Sequence, residues 1–171
     1  MSAVSLMFSF FIKIPVIPSL PFLRLEFSDC VIFLASGLFG IKSGILVLLV
    51  TQILRFLLLS TLGLVGLVVH LCAVVLVIVF GILKKIKKLN QKIFLILTGI
   101  LISVLIKVPL NNFFIINFLG MQKETLNKIL FPVIMFNVLK DSINCALAVI
   151  LILFVTKNLK LCDGYGSEME T

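Results

Sequence analysis

The stretch from Leu130 to Thr156 constrains the fold of this chain more than any other part of it. It is apolar and long enough to cross a bilayer as a helix, since a span needs about 20 predominantly apolar residues. Its first half nevertheless carries four polar side chains, which are Asn137, Lys140, Asp141 and Asn144. Their offsets of three, four and seven residues place them on one stripe of a helix, which Val133 and Ala148 extend.

The polar stripe on this segment predicts a binding wall. Amide, ammonium and carboxylate groups in hydrocarbon cost several kcal/mol together unless they face a cavity, a partner or a ligand. A second interpretation also fits: Lys140 and Asp141 neutralise neighbouring side chains inside a helix bundle, or lie near the membrane interface. The stripe alone does not name a substrate.

The composition of the whole chain extends this argument beyond one segment. Of 171 residues, 61% are hydrophobic and only 13% are charged, which is more apolar surface than a soluble domain can bury. The apolar runs are long and continuous, whereas barrel strands alternate over about ten residues. We therefore expect an all-α integral membrane protein, a compact bundle of six transmembrane helices over residues 1–160, with a polar tail over residues 161–171. The net charge of +8 is too scattered for nucleic-acid binding.

The basic run at residues 84–92, KKIKKLNQK, predicts the orientation of the bundle, because short Lys-rich loops stay cytoplasmic. With six spans, Lys42, Lys157 and Lys160 fall on the same side as this run. Both termini are then cytoplasmic, and the protein is a multi-pass protein of the plasma membrane.

The first apolar run reaches the prolines between residues 15 and 21, and the polar segment LRLEFSD follows at residues 23–29. Its mixed charges favour a surface loop over a lid, and Ser28 or Asp29 is expected to cap the next helix. Further on, the segment from Gly40 to Gly44 predicts a tight turn, with close helix contact through the glycines as the alternative.

Isolated polar residues in the middle runs also need partners. Gln52 and Arg55 share one face of the third run, and a lone Arg in a membrane must find a carboxylate, a carbonyl or an aqueous path. Lys107 and Asn111 lie four residues apart and are stacked if the fifth helix continues through Pro109. With six spans, Asn111, Asn137, the segment 23–29 and the link 120–128 fall on the outer side, which predicts one outer chamber.

The chain shows no signature of an enzyme. It has no H-E-x-x-H, no nucleophile elbow and no P-loop, so ATP hydrolysis would have to come from partners. His70 is interpreted as a packing residue rather than a proton relay. The four cysteines form no C-x-x-C or Cys/His pair, and we expect neither a metal site nor a disulfide.

Three segments together resemble one family of membrane proteins. PFLRLEFSDCVIFLASGLFGIKSG is similar to the L-K-L-D-F-S-D-I-P-A-L…G-P-L-A-G stretch of the substrate-binding (S) subunits of energy-coupling factor (ECF) vitamin transporters, specifically the RibU-type riboflavin subunit. FNVLKDSIN resembles the P-F-N-L-I-K-G motif of its last span, and LNNFFIIN resembles the L-N-Y-F motif of its fifth. The resemblance covers nearly the whole chain in order and spacing.

The resemblance implies a function and a set of site residues. Such a subunit captures a vitamin outside a bacterial cell, docks on a transmembrane scaffold subunit with two ATP-hydrolysing subunits, and topples to release its cargo inward. Riboflavin would be the transported ligand, with no cofactor. Asn111, Asn137 and Lys140 match positions that hydrogen-bond the flavin, and the segment from Phe27 to Asp29 matches the one that covers the site. Gln52 completes the set of candidate substrate-binding residues.

Some positions depart from the family's pattern. Glu, Lys, Asn and His are usual in the third span where this chain has Leu48, Thr51, Gln52 and Arg55. The turn G-I-K-S-G lacks the usual proline, and Asp141 replaces a glycine. These changes keep other cargoes open, such as a pantothenate or pyrimidine compound, and an anionic ligand would suit Lys140 and Arg55. A structural membrane protein, with its polar stripe paired internally, is the further alternative.

Overall fold

A computed structural model describes residues 1–11, 13–15, 24–58, 70–83, 86, 88–119 and 123–167 of the chain. Within these ranges lie six helices and one two-stranded sheet. The helices are α1 (Ser2–Phe11), α2 (Ser28–Phe39), α3 (Ile41–Leu58), α4 (Val74–Leu83), α5 (Leu89–Leu119) and α6 (Lys123–Ser167). The strands are β1 (Lys13–Pro15) and β2 (Arg24–Glu26).

Three of the helices are long and apolar enough to cross a membrane. They are α3, the part of α5 from Leu89 to Leu110, and the part of α6 from Leu130 to Asn158. The helices α2 and α4 are apolar but shorter. The structure thus confirms a helical fold, and three of its described helices could cross a membrane by length and composition. The number of six spans and the side of the termini stay predictions.

The segment before α2 is a hairpin rather than the expected surface loop. Strands β1 and β2 pair antiparallel, with Ile14 opposite Leu25 and Lys13 opposite Glu26. Leu25 and Glu26 are buried, as are Ser28 and Asp29 beyond them. The expectation of a solvated loop was wrong because the two carboxylates of this segment, Glu26 and Asp29, are neutralised inside the protein by partners distant in sequence.

Helix α2 begins at Ser28, directly after the hairpin. Its N-cap residue is Phe27, without a side-chain capping bond, so the prediction of a Ser28 or Asp29 cap was wrong. The two side chains have other partners: the Ser28 hydroxyl accepts a hydrogen bond from Arg55 Nη1 at 3.4 Å, and the Asp29 carboxylate pairs with Lys140. Asp29 still lies in the first helical turn, where a carboxylate is favoured by the helix dipole.

The turn between α2 and α3 occurs at Gly40, as the sequence predicts. Its φ of 95° lies in the region that favours glycine, and its N–H donates to the Ser36 carbonyl at 2.8 Å. Gly44 provides the close contact that was the alternative, since a Cβ there would lie 2.5 Å from Ser36 Cβ and 2.8 Å from a Val77 methyl. The tight turn is confirmed at Gly40, whereas the alternative of close contact through both glycines holds at Gly44 only, because a Cβ at Gly40 would have no neighbour within 4 Å.

Helix α2 lies at the centre of the bundle and packs against α1, α3, α4 and α6. Its fully buried Phe33 stacks on Phe80 of α4 with ring centroids 5.3 Å apart. This packing brings the first turn of α2 between α3 and α6, where the polar residues of all three helices meet.

Helices α5 and α6 are longer than the apolar runs that predict them. Helix α5 continues through Pro109, as the stacking of Lys107 on Asn111 requires. Helix α6 begins at Lys123, inside the predicted link, and extends to Ser167, so the boundary predicted at residue 160 lies within this helix.

Candidate functional site

The polar stripe of α6 faces the interior of the bundle. Its members are all buried: Val133, Asn137, Lys140, Asp141, Asn144 and Ala148. Helical spacing predicted this face correctly, because residues three and four apart project from the same side of a helix. The contacts of these buried side chains lie within the bundle.

Lys140 contacts Asp29. The Lys140 Nζ lies 3.5 Å from Asp29 Oδ2, and both side chains are nearly inaccessible. His70 Nδ1 approaches the other carboxylate oxygen, Oδ1, at 4.0 Å, which is longer than a hydrogen bond. Two of the predicted site residues, Asp29 of α2 and Lys140 of α6, are therefore in contact.

Asn144 joins α6 to the junction between β2 and α2. Its Nδ2 donates to the carbonyl oxygens of Glu26 at 3.1 Å and Lys140 at 3.0 Å, and its Oδ1 accepts the Cys30 N–H at 3.2 Å. These bonds hold Asp29 opposite Lys140. Sequence reasoning placed Asn144 on the stripe but not in the site, although a buried amide always needs several partners.

Arg55 of α3 forms an ion pair with Glu26 of β2, and both side chains are largely buried. Its second contact is the bond to the Ser28 hydroxyl. The lone Arg of the third run thus finds the carboxylate that its position in a membrane helix requires. This ion pair attaches the hairpin to α3.

Lys107 of α5 forms an ion pair with Asp141 of α6. The Lys107 Nζ lies 2.6 Å from Asp141 Oδ1 and 2.8 Å from Oδ2, and the Ser103 hydroxyl donates to Oδ2 at 2.9 Å. The interpretation of Asp141 as an internal neutralising group is therefore correct, and Lys140 likewise has an internal partner in Asp29.

Among the described residues, the buried charges in this region balance. Three carboxylates each have one cationic partner, in the pairs Glu26–Arg55, Asp29–Lys140 and Asp141–Lys107. An unpaired charge in a protein interior costs several kcal/mol, so each of these side chains depends on its partner. These six side chains form a polar cluster, which carries no net charge apart from any on the neighbouring His70.

The other predicted site residues differ in what they contact. Asn137 is buried, and its Nδ2 donates to the Val133 carbonyl of its own helix at 2.9 Å. Phe27 is half-buried and packs against the core. Gln52 is buried on α3, and its Nε2 has no hydrogen-bond partner among the described residues. Asn111 lies on α5, and its side chain is outside the described part of the chain.

Comparison with solved structures shows a close match to one membrane protein, described as the S component of a bacterial ECF transporter. The two chains are 27% identical and superpose with a TM-score of 0.78, over 93% of this chain and 92% of the other. A comparison with curated protein sequences gave no match.

A family model gives the assignment. The model described as "ECF transporter, substrate-specific component" matches residues 1–152, which is most of the chain. Proteins of this kind bind a vitamin-type substrate and work with a membrane scaffold subunit and ATPases, and they are transport subunits rather than enzymes. The chain belongs to the family of ECF transporter substrate-specific components.

Proposed function

We propose that this protein captures riboflavin outside a bacterial cell and delivers it through a scaffold subunit and two ATPase subunits. In this proposal six helices span the plasma membrane, both termini are cytoplasmic, and the polar cluster opens to the exterior. Asn111, Asn137, Lys140 and Gln52 bind the vitamin, while the segment from Phe27 to Asp29 covers it.

The contact between Asp29 and Lys140 carries the proposal. Asp29 belongs to the F-S-D motif and Lys140 to the N-x-x-K motif, and these are the two motifs by which the sequence resembles riboflavin subunits. The motifs are far apart in the chain, yet their charged residues lie 3.5 Å from each other. Such convergence is expected of two halves of one binding site.

The chemistry of the cluster suits a flavin. The isoalloxazine edge has carbonyl oxygens, ring nitrogens and an imide N–H, which an amide matches with donor and acceptor and an ammonium meets as donor. The Asn137 amide donates a hydrogen bond to the Val133 carbonyl of its own helix. A ligand can replace this bond without disturbing another helix or strand. The adjacent Phe136 is buried and provides an aromatic surface for the flavin ring.

The charge balance favours riboflavin over an anionic cargo. Riboflavin is neutral, whereas pantothenate carries a carboxylate. Both cations that would suit an anion, Lys140 and Arg55, already have carboxylate partners. An anionic vitamin would have to displace one of these carboxylates and leave it unpaired, which is strongly unfavourable in a buried site.

Purified protein tests the proposal. We expect riboflavin to copurify with it or, after its removal, to lose fluorescence on binding, and unlabelled pantothenate or a pyrimidine vitamin should not compete. A colourless protein that leaves riboflavin fluorescence unchanged would rule out the riboflavin assignment, and displacement of riboflavin by pantothenate at equal concentration would refute the argument from charge.

A further inference from the structure

Three buried polar atoms on α2 and α3 lack hydrogen-bond partners within the described residues. They are Thr51 Oγ1, Gln52 Nε2 and Asp29 Oδ1. Thr51 is 0% exposed, Asp29 2% and Gln52 3%, so bulk water does not satisfy them. Because the great majority of buried polar groups in native proteins are paired, each such atom requires a partner.

The three atoms belong to neighbouring positions on two packed helices. Arg55 Nη1 bonds to the hydroxyl of Ser28, the residue before Asp29. Thr51 and Gln52 precede Arg55 on α3 by four and three residues, which places them one turn away on the same face. Thr51 and Gln52 therefore lie one helical turn from the contact that Arg55 makes beside Asp29.

Charge compensation does not explain these atoms. The Asp29 carboxylate already has Lys140 at its other oxygen, and His70 Nδ1 lies 4.0 Å from Oδ1, too far for a hydrogen bond. Arg55 is paired with Glu26. What stays open is an amide donor at Gln52, a carboxylate acceptor at Asp29 and a hydroxyl at Thr51 that does both. A ligand group that satisfies all three atoms is uncharged and has at least one hydrogen-bond acceptor and one donor.

We propose that Thr51, Gln52 and the Oδ1 atom of Asp29 form a hydrogen-bonding subsite for an uncharged donor–acceptor group of the ligand, such as a hydroxyl or an amide. The subsite is additional to the Asn137 and Lys140 side of the cluster, and it rests on the proposed function because both parts bind one ligand. Thr51 and Gln52 replace the residues usual in the family's third span, so the subsite follows from this chain's own side chains.

Thr51→Val is the sharpest test because valine has the same shape and removes only the hydroxyl. We expect the Kd for riboflavin to rise about five- to tenfold, the value of one lost hydrogen bond. The melting temperature of the ligand-free protein should not fall, since the hydroxyl bonds to none of the residues that the structure describes. Thr98→Val is the matched control: its hydroxyl donates to the Phe94 carbonyl at 2.8 Å on α5, and riboflavin binding should be unchanged.

Gln52→Glu tests the donor independently. A carboxylate at this position accepts but does not donate, and it lies in the same cluster as Asp29, so riboflavin affinity should fall more than tenfold. Gln91→Glu, at an exposed position near the start of α5, is the control and should bind as the unmodified protein does.

The outcomes separate the subsite from the function. If the unmodified protein binds riboflavin and both variants bind it equally well, the subsite is refuted while the proposed function stands. If Thr51→Val lowers the melting temperature and the affinity together, the hydroxyl has a structural role and the subsite is also refuted. If the unmodified protein binds no riboflavin, the riboflavin proposal and the subsite that rests on it are both refuted.

Discussion

Asp29, at the start of α2, is held 3.5 Å from Lys140 by helices that are distant in sequence. Asn144, one turn after Lys140 on α6, bonds to the backbone on both sides of Asp29, at Glu26 and at Cys30. Asn144 of the polar stripe thus positions the end of the hairpin, and Lys140 of the same stripe lies opposite Asp29.

The first prediction concerns the amide and ammonium assigned to the ligand. Asn137→Ala and Lys140→Ala should each weaken riboflavin binding by about 1–3 kcal/mol, because each leaves a group of the bound ligand unpaired. Fluorescence titration measures this directly. Asn90→Ala, at an exposed position on α5, is the control. Unchanged affinity in both site variants would place the binding site elsewhere.

The second prediction concerns the selectivity for neutral ligands. Asp29→Asn removes the carboxylate that neutralises Lys140, and the cluster then has one cation in excess. The ratio of the Kd for flavin mononucleotide, a riboflavin phosphate, to the Kd for riboflavin should fall relative to the unmodified protein. Glu124→Gln, at the start of α6, changes the total charge equally and is the control. An equal ratio in all three proteins would contradict the charge argument.

The third prediction concerns the ion pair between α5 and α6. Lys107→Met or Asp141→Asn leaves one buried charge without its partner, which should lower the free energy of unfolding by about 3–5 kcal/mol. The double variant Lys107→Met with Asp141→Leu removes both charges and should recover much of the loss. Thermal unfolding in detergent measures the series, with Lys92→Met as a control near the start of α5. Single variants as stable as the unmodified protein would show that the pair is not formed.

The fourth prediction concerns Asn144, which bonds to two segments at once. Asn144→Leu should remove one partner of the Glu26 carbonyl and leave the Cys30 N–H with only its 3.3 Å bond to the Phe27 carbonyl, which should destabilise the junction by about 1–3 kcal/mol. Hydrogen exchange should be faster at the Cys30 amide than in the unmodified protein. Exchange that is unchanged there would mean that Asn144 does not hold the junction.

The sequence predicts what depends on local spacing. The buried face of α6 follows from the positions of Asn137, Lys140 and Asn144 within one helix, and the turn at Gly40 follows from a residue that tolerates positive φ. Residues close in sequence decide both features. The helical class follows in the same way from apolar runs too long for strands.

The sequence does not predict which charges meet. The hairpin was missed because its strands have only three residues each, and because Glu26 looks solvent-exposed until it is paired with Arg55 of α3. Lys107 and Asp141 are likewise neighbours only after α5 and α6 pack. The sequence did indicate that each lone charge inside an apolar run needs a polar partner or an aqueous path, but not which one it has.

The most direct measurement is an experimental structure of the protein with riboflavin bound. We predict that flavin polar atoms lie within hydrogen-bond distance of Asn137 and Lys140, between the first turn of α2 and the stripe of α6. A flavin bound at another surface, with Asn137 still bonded to the Val133 carbonyl and Lys140 still paired only with Asp29, would contradict the account.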